Sequence, residues 1–567
     1  MFRVLVPFFL LFLLACNSNI PSRPLSITAS PSPSPIPSLK SPLSNLKTGW
    51  AYEAYPEASF EKMRDDFAMM RANGANAVWI GHNNPGEVDA QKVEPGMSYG
   101  VYAALQNEND ALYNDARAMA DAITRALDAA RETETQVILP IGYQIQMGDV
   151  WNKNYPNDLR LSFDGSRLNL YDSGYTASPY SPQYRADIAR YYAWVQREYV
   201  EPYRDVIIML SLADEPMGGD FSAHAKNEFA RRYGKTMDAL SQAEMWMLGE
   251  FQSGVIADYA AWSANEWRRL NPQLLTTMSF HGGDTARRVW GLPDVEKLFS
   301  QTPENFVVTF DAYLHDDLAT KPATPDERAQ LKLFLTTIGR YSRIYKKPLA
   351  LWGGVNAWGL AQESPSPLAL PDAVTNLLLL YDLPGRAGGE VWGIFAWNYN
   401  VKQQGLENYA RPTTYDVHTM QIAVERAFPM LRAREKISPP YLREIALVVA
   451  PRAMYKALAE SRAAEYPPNW FDATQYARVF GDRLAMVVSS PQSLEAALNA
   501  SHFIVASSAQ DVDPATLKFL RERFDEGIVI MGDETLARAL DAPSKNWEAG
   551  LARLPQFGGA VYLLSEK

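Results

Sequence analysis

The stretch that most restricts the fold is Val206 to Ala213, apolar except at Ser211, with Asp214, Glu215 and Pro216 directly after it. A run of this kind, opening on three β-branched residues, reads as a strand buried on both faces, as in a parallel sheet. Its end lifts two acids out of the core together. In a closed parallel barrel that end is where chemistry is carried. The plainer alternative is that the acids cap a helix starting near Phe221 and Ser222.

Seven further segments have the same texture: Gly49–Tyr52, Asn76–Gly81, Gln136–Gly142, Gln273–Phe280, Phe306–Asp311, Pro348–Gly353 and Val391–Trp397. Between them lie helical patterns. Phe60, Met63, Phe67 and Met70 recur at spacings of three and four, and Asn73-Gly74 closes that helix. Further helices are expected over 183–201 and 222–270. Eight strands alternating with helices predict an α/β fold of the (β/α)8 barrel type over residues 47–438. The long connections 82–108 and 143–182 leave carboxyl ends of strands and should wall the mouth. The second carries Trp151, Tyr155, Tyr171, Tyr175 and Tyr180 among Asn, Asp and Ser, a mixture suited to a polyhydroxylated ring or to a packed lid.

At 567 residues the chain is too long for one domain. Pro439-Pro440 marks a boundary, after which short apolar strands at 444–450, 484–488, 502–506 and 527–531 and a helix over 513–526 predict a small open α/β domain, 439–567. It has no glycine-rich nucleotide fingerprint, so no cofactor is expected. At the other end, Met1-Phe-Arg3 and the apolar run Val4–Leu14 read as a signal core too short to span a bilayer. Leu13-Leu-Ala-Cys16 resembles a bacterial lipoprotein signal, which implies that residues 1–16 end in a lipidated Cys16 and that the protein sits in the cell envelope, touching membrane through the lipid alone. Residues 17–46, rich in Pro and Ser, predict a tether reaching up to about 90 Å.

The net charge of −11 and the lack of a basic cluster argue against nucleic acid. The six His show no metal-ligand spacing, so no metal is expected. Asn83-Asn84 after the second strand and His281-Gly-Gly-Asp284 after the fifth face the expected mouth and could bind hydroxyls or simply shape loops. Trp352, Trp358 and Trp397 cluster at the last two strand ends as candidate sugar platforms.

From residue 49 to 535 the chain resembles glycoside hydrolase family 42, the β-galactosidase-like barrels. The resemblance lies in Phe60-Glu-Lys-Met-Arg-Asp-Asp-Phe-Ala-Met-Met-Arg-Ala-Asn-Gly-Ala-Asn76, in Ser181-Pro-Gln-Tyr-Arg185, in Thr309-Phe-Asp-Ala-Tyr313 and in the domain order. It implies a flavodoxin-like terminal domain that can take part in a homotrimer, a carbohydrate substrate contacted by residues such as Tyr313, and hydrolysis of a β-linked hexoside. In that family the fourth strand ends in Asn-Glu, the Glu being the general acid/base. Glu215 matches it, with Asp214 in place of Asn. The Lys347-Pro-Leu-Ala-Leu-Trp-Gly353 strand puts Gly353 where the family has its nucleophilic Glu.

Ordinary retaining hydrolysis needs a second carboxylate about 5–5.5 Å from the first. Three readings follow. A replacement carboxylate attacks: Asp311, Glu363 or Glu407, with Glu390 at the wrong end of its strand. Alternatively Asp214-Glu215, which is similar to the pair of substrate-assisted N-acetylhexosaminidases, uses the sugar's own acetamido oxygen. Or the barrel binds glycans without turnover. In each enzymatic case Asp214 should raise the Glu215 pKa by like-charge repulsion.

Overall fold

A computed structural model describes residues 46–80, 97–169, 174–281, 294–312, 325–354, 370–397, 417–434 and 445–461, then Tyr399, Tyr476, most of 480–541, 544–545 and 562–564. The strands of the first part are β1 (Lys47–Tyr52), β2 (Ala77–Ile80), β3 (Gln136–Pro140), β4 (Ile207–Asp214), β5 (Leu275–His281), β6 (Phe306–Asp311), β7 (Leu349–Gly354) and β8 (Val391–Trp397). Each pairs in parallel with its sequence neighbour, and β8 pairs with β1 to close a (β/α)8 barrel. The helices are α1 (Phe60–Ala72), α2 (Tyr99–Leu105), α3 (Tyr113–Glu132), α4 (Asp149–Asn154), α5 (Pro182–Val195), α6 (Ala223–Tyr233), α7 (Met245–Leu270), α8 (Val295–Gln301), α9 (Pro325–Tyr345), α10 (Leu370–Arg386) and α11 (Val417–Arg434).

Local chemistry explains the boundaries. The Oγ of Ser59 accepts from the Lys62 amide to start α1, and Gly74, at φ 96°, follows its last turn in a conformation that suits glycine. Ser181 caps α5 in the same way, with Pro182 in the first turn. Four expectations are corrected. The helix expected over 183–201 is α5 followed by a π-turn at 196–200, and the region 222–270 is two helices, broken where Gly234 takes up the left-handed φ of 68°. The expected loop 82–108 contains α2, and 143–182 contains α4 and a set of short antiparallel bridges.

The second sheet comprises β9 (Ile445–Val449), β10 (Leu484–Val488), β11 (His502–Val505), β12 (Val529–Gly532), β13 (Ser544–Lys545) and β14 (Tyr562–Leu564), in the order β10-β9-β11-β12-β14-β13. The four parallel strands thus wind 2-1-3-4, as in doubly wound sheets, and an antiparallel pair that the sequence pattern did not reveal completes the edge. Its helices are α12 (Pro451–Ser461), α13 (Pro514–Asp525) and α14 (Glu534–Ala539). Residues 45–567 form one compact unit that includes both sheets.

Candidate active site

The end of β4 departs from a regular strand in two ways. Its register against β5 shifts between Ser211 and Asp214, and Glu215 has a φ of 41°, in the left-handed region that non-glycine residues seldom adopt. Successive residues of a regular strand point to opposite faces. The shift and the left-handed turn re-aim the chain so that Glu215 joins Asp214 at the mouth. The turn is pinned by the Glu215 amide donating to the Ser279 carbonyl (2.9 Å) and by the Asp214 carbonyl accepting from the Gln144 amide (2.8 Å).

The neighbouring strands deliver polar groups to the same place by simple alternation. On β6 Phe310 packs outward on Phe334 of α9, ring centroids 5.2 Å apart, so Thr309 and Asp311 face inward. Thr277 meets Thr309, hydroxyl to hydroxyl at 2.6 Å, and one layer higher the Ser279 hydroxyl donates to Asp311 Oδ1 at 2.7 Å. His281 pairs in register with Asp311 at the top of β5 and is partly exposed.

This setting favours the protonated form of Glu215. Burial of its carboxyl is the largest influence, pushing its pKa well above the carboxylate range; the negative charge of Asp311 adds to it, and His281 opposes. Asp214 also raises it, by less than Asp311, and a hydrogen bond joins the Glu215 and Asp311 carboxyls. Asp214 thus acts in the expected direction, and Asp311, which the sequence reading had not set against Glu215, contributes the larger charge effect.

Other expected residues fall as follows. Trp352 of β7 is 2% exposed and fills the barrel interior against Trp79 of β2 (4.7 Å) and Phe395 of β8 (5.3 Å). Gly353 points the other way: a Cβ there would lie 2.8 Å from Leu380 and 3.0 Å from Leu377 of α10. No side chain at position 353 could enter the mouth, so the identification of this position with the family's nucleophile is corrected. Trp151 is 4% exposed, its indole N–H donating to Asp187 of α5 (2.7 Å) and its ring beside Tyr155 and Tyr184. It binds the β3 loop to α5 rather than presenting a free ring face. Tyr180 is committed to Asp258 (2.7 Å), whereas Tyr175 is exposed. Glu390 precedes β8 and its backbone joins Leu349 and Ser342 at the amino end of the barrel. Trp397 ends β8; its side chain, together with Cys16, Asn83, Tyr171, Tyr313, Trp358, Glu363 and Glu407, lies outside the described residues.

One carboxylate escaped the sequence reading. Glu53 follows β1 directly, is 4% exposed, and accepts a hydrogen bond from the Tyr55 hydroxyl. Its signal is the one that marked Asp214 and Glu215, an acid immediately after a barrel strand. A cavity of about 330 Å³ lies at the opposite, amino-terminal end of the barrel, lined by Lys47, Arg71, Asn76, Gln136 and Arg432, remote from these carboxylates. Among the described residues no group of three or more His, Cys, Asp or Glu is arranged to hold a metal ion, and no helix is long and apolar enough to cross a membrane.

No protein-family model matches the chain, and no curated protein matches it in sequence. Solved structures do. A β-galactosidase from the psychrophilic Marinomonas ef1 superposes with a TM-score of 0.58 at 12% identity, over 84% of this chain and 74% of that one. The cold-adapted β-galactosidase from Rahnella sp. R3 gives 0.60 at 13%, over 85% and 70%. A catalytic mutant of Gan42B, a GH42 β-galactosidase from G. stearothermophilus, gives 0.59 at 13%, over 85% and 70%. At such identities the likeness is one of fold, that of a GH42-like barrel.

Proposed function

We propose that the chain is a glycoside hydrolase acting on β-linked hexosides, with Glu215 as its proton donor. The observation that supports this reading is the carboxyl pair at the barrel mouth: Glu215 follows β4 beside Asp311, which the Ser279 hydroxyl holds on β6, and its pKa is pushed up by burial and by the Asp311 charge, which favours its acid form. Cleavage of a glycosidic bond requires such a group, because the leaving oxygen must be protonated as the bond breaks. The pair also gives Asp311 a role. Two hydrogen-bonded carboxyls lie closer than the roughly 5–5.5 Å across which retaining enzymes set acid and nucleophile. Asp311 accordingly serves as the proton's second holder rather than attacking from the far face of the sugar. The solved structures of similar fold are β-galactosidases, which makes β-galactosides the first substrates to try.

The test is a panel of aryl β-glycosides, galactosides and N-acetylhexosaminides included, with the wild type and Glu215→Gln. Glu215→Gln should slow poor leaving groups by roughly 10²–10⁴-fold and spare activated ones. Equal turnover by both proteins removes Glu215 from the chemistry. Turnover confined to N-acetylhexosaminides, and lost in Asp214→Asn, moves the mechanism to the substrate's acetamido group. A wild type that binds sugars and cleaves none is a glycan-binding barrel.

A further inference from the structure

We infer that Glu53 is the carboxylate that works opposite Glu215, as the nucleophile of a retaining mechanism. This rests on the hydrolase reading and adds a residue to it. On β1 the rings of Trp50 and Tyr52 turn outward: Trp50 packs on Tyr399 at 5.7 Å, the Tyr52 hydroxyl donates to Asp66 of α1 at 2.9 Å, and its ring meets Phe67 at 4.8 Å. Alternation leaves Gly49, Ala51 and Glu53 on the interior side. Gly49 agrees, since a Cβ there, crowded first by the Ala77 carbonyl oxygen of β2 at 2.2 Å, would also come within 3.2 Å of the interior ring of Phe395.

Glu53 thus stands at the mouth, on the wall facing the acid pair. In a closed barrel of sequential strands β1 lies across from β5, whose neighbours β4 and β6 carry Glu215 and Asp311. A nucleophile must approach the anomeric carbon from the side away from the acid, and β1 supplies that side. The seventh strand offers no carboxylate in its usual place: Trp352 fills the interior, Gly353 faces α10, and the strand ends at a second glycine, Gly354. Glu53 is also held in place for nucleophilic attack, because the Tyr55 hydroxyl donates to its Oε2, which orients the carboxylate.

The chemistry balances with these groups and water. A Glu53 oxygen bonds to the anomeric carbon as the bond to the leaving oxygen breaks, and that oxygen takes the proton of Glu215. Water then gives a proton to the Glu215 carboxylate and attacks the same carbon, releasing Glu53. The configuration at the anomeric carbon is retained.

The experiment treats the full chain with a 2-deoxy-2-fluoro β-glycoside carrying a dinitrophenyl leaving group, of the sugar the wild type hydrolyses best, and maps the labelled peptide. The adduct should sit on Glu53. Glu53→Ala, its folding checked by circular dichroism, should lose turnover by on the order of 10³-fold or more. Azide should restore cleavage and yield the glycosyl azide of opposite configuration. An adduct on another carboxylate, an active wild type that forms none, or a Glu53→Ala protein within tenfold of wild type overturns the assignment while leaving the hydrolase in place. Absence of turnover with every glycoside tested overturns the hydrolase reading, and this assignment with it.

Discussion

The raised pKa of Glu215 costs stability and, on the proposed reading, suits acid catalysis. Its folded pKa is raised above the unfolded one, of about 4.3, so the native state holds the proton over a pH range in which the unfolded state has lost it. Stability is then full below the unfolded value and declines as pH rises through the folded one. Glu215→Gln mimics the protonated form and can still donate to Asp311. Its melting temperature should exceed that of wild type at pH 7, with the gain vanishing below about pH 4. A pH-independent difference between the two proteins would refute the perturbed acid. Asp311→Asn removes the charge that helps hold the proton, so the alkaline limb of kcat/KM should move to lower pH. The two acids were recognisable in the sequence because they follow an apolar run. Their arrangement was not. It depends on a left-handed backbone at Glu215 and on the β4–β6 register, neither of which leaves a periodic mark in the chain.

At the scale of elements, barrel strands such as β2, β4, β7 and β8 were readable because each is a largely apolar run bounded by polar residues or glycine, and a strand buried on both faces needs nothing more. What such a run conceals, unlike β5 with its alternating Thr277, Ser279 and His281, is which residue faces inward, since both faces are apolar. Position 353 shows the consequence. Counted along the sequence it coincides with a nucleophile, yet a side chain there would enter the apolar contact with Leu377 and Leu380. Gly353→Glu should therefore restore no catalysis. It should instead lower soluble yield and melting temperature, because a carboxylate driven between leucines costs several kcal/mol. Gly353→Ala, meeting only the flexible ends of those leucines, should cost about 1 kcal/mol, at the low end of overpacking. Raised turnover in Gly353→Glu would put the position back in the mouth.

At the scale of the molecule, the two sheets are joined through a face and not through a linker alone. Alternate residues of β9 enter different cores: Ile445, Leu447 and Val449 pack with Leu333 of α9, Tyr455 of α12 and Trp246 of α7, while Ala446 and Val448 pack with Leu520 and Phe524 of α13 and Leu536 of α14. The first of these cores is shared with the barrel's own helices, so the small sheet is covered on one side by the barrel. Polar contacts fix the orientation. Tyr455 donates to Asp294, and Glu296 Oε1 accepts from Ser490 (2.5 Å), Ser493 (2.6 Å) and Tyr345 (2.7 Å). The apolar runs of the small sheet were visible in the sequence, but this docking was not, because its closest contact runs through a glycine. A Cβ on Gly249 of α7 would lie 1.8 Å from the Tyr455 carbonyl oxygen and 2.8 Å from its Cα. Both are backbone atoms, so relief requires the two helices to separate rather than a side chain to rotate. Gly249→Ala should consequently exceed the usual range of overpacking, about 1–3 kcal/mol, although alanine favours helix over glycine by about 1 kcal/mol. It should also make the segment between α11 and β9 the first point of cleavage in limited proteolysis, as the small sheet loosens from the barrel. A Gly249→Ala protein that melts with wild type and resists protease equally would mean that α7 and α12 are not held in backbone contact, and that the shared apolar core and the polar bridges hold the two sheets without it.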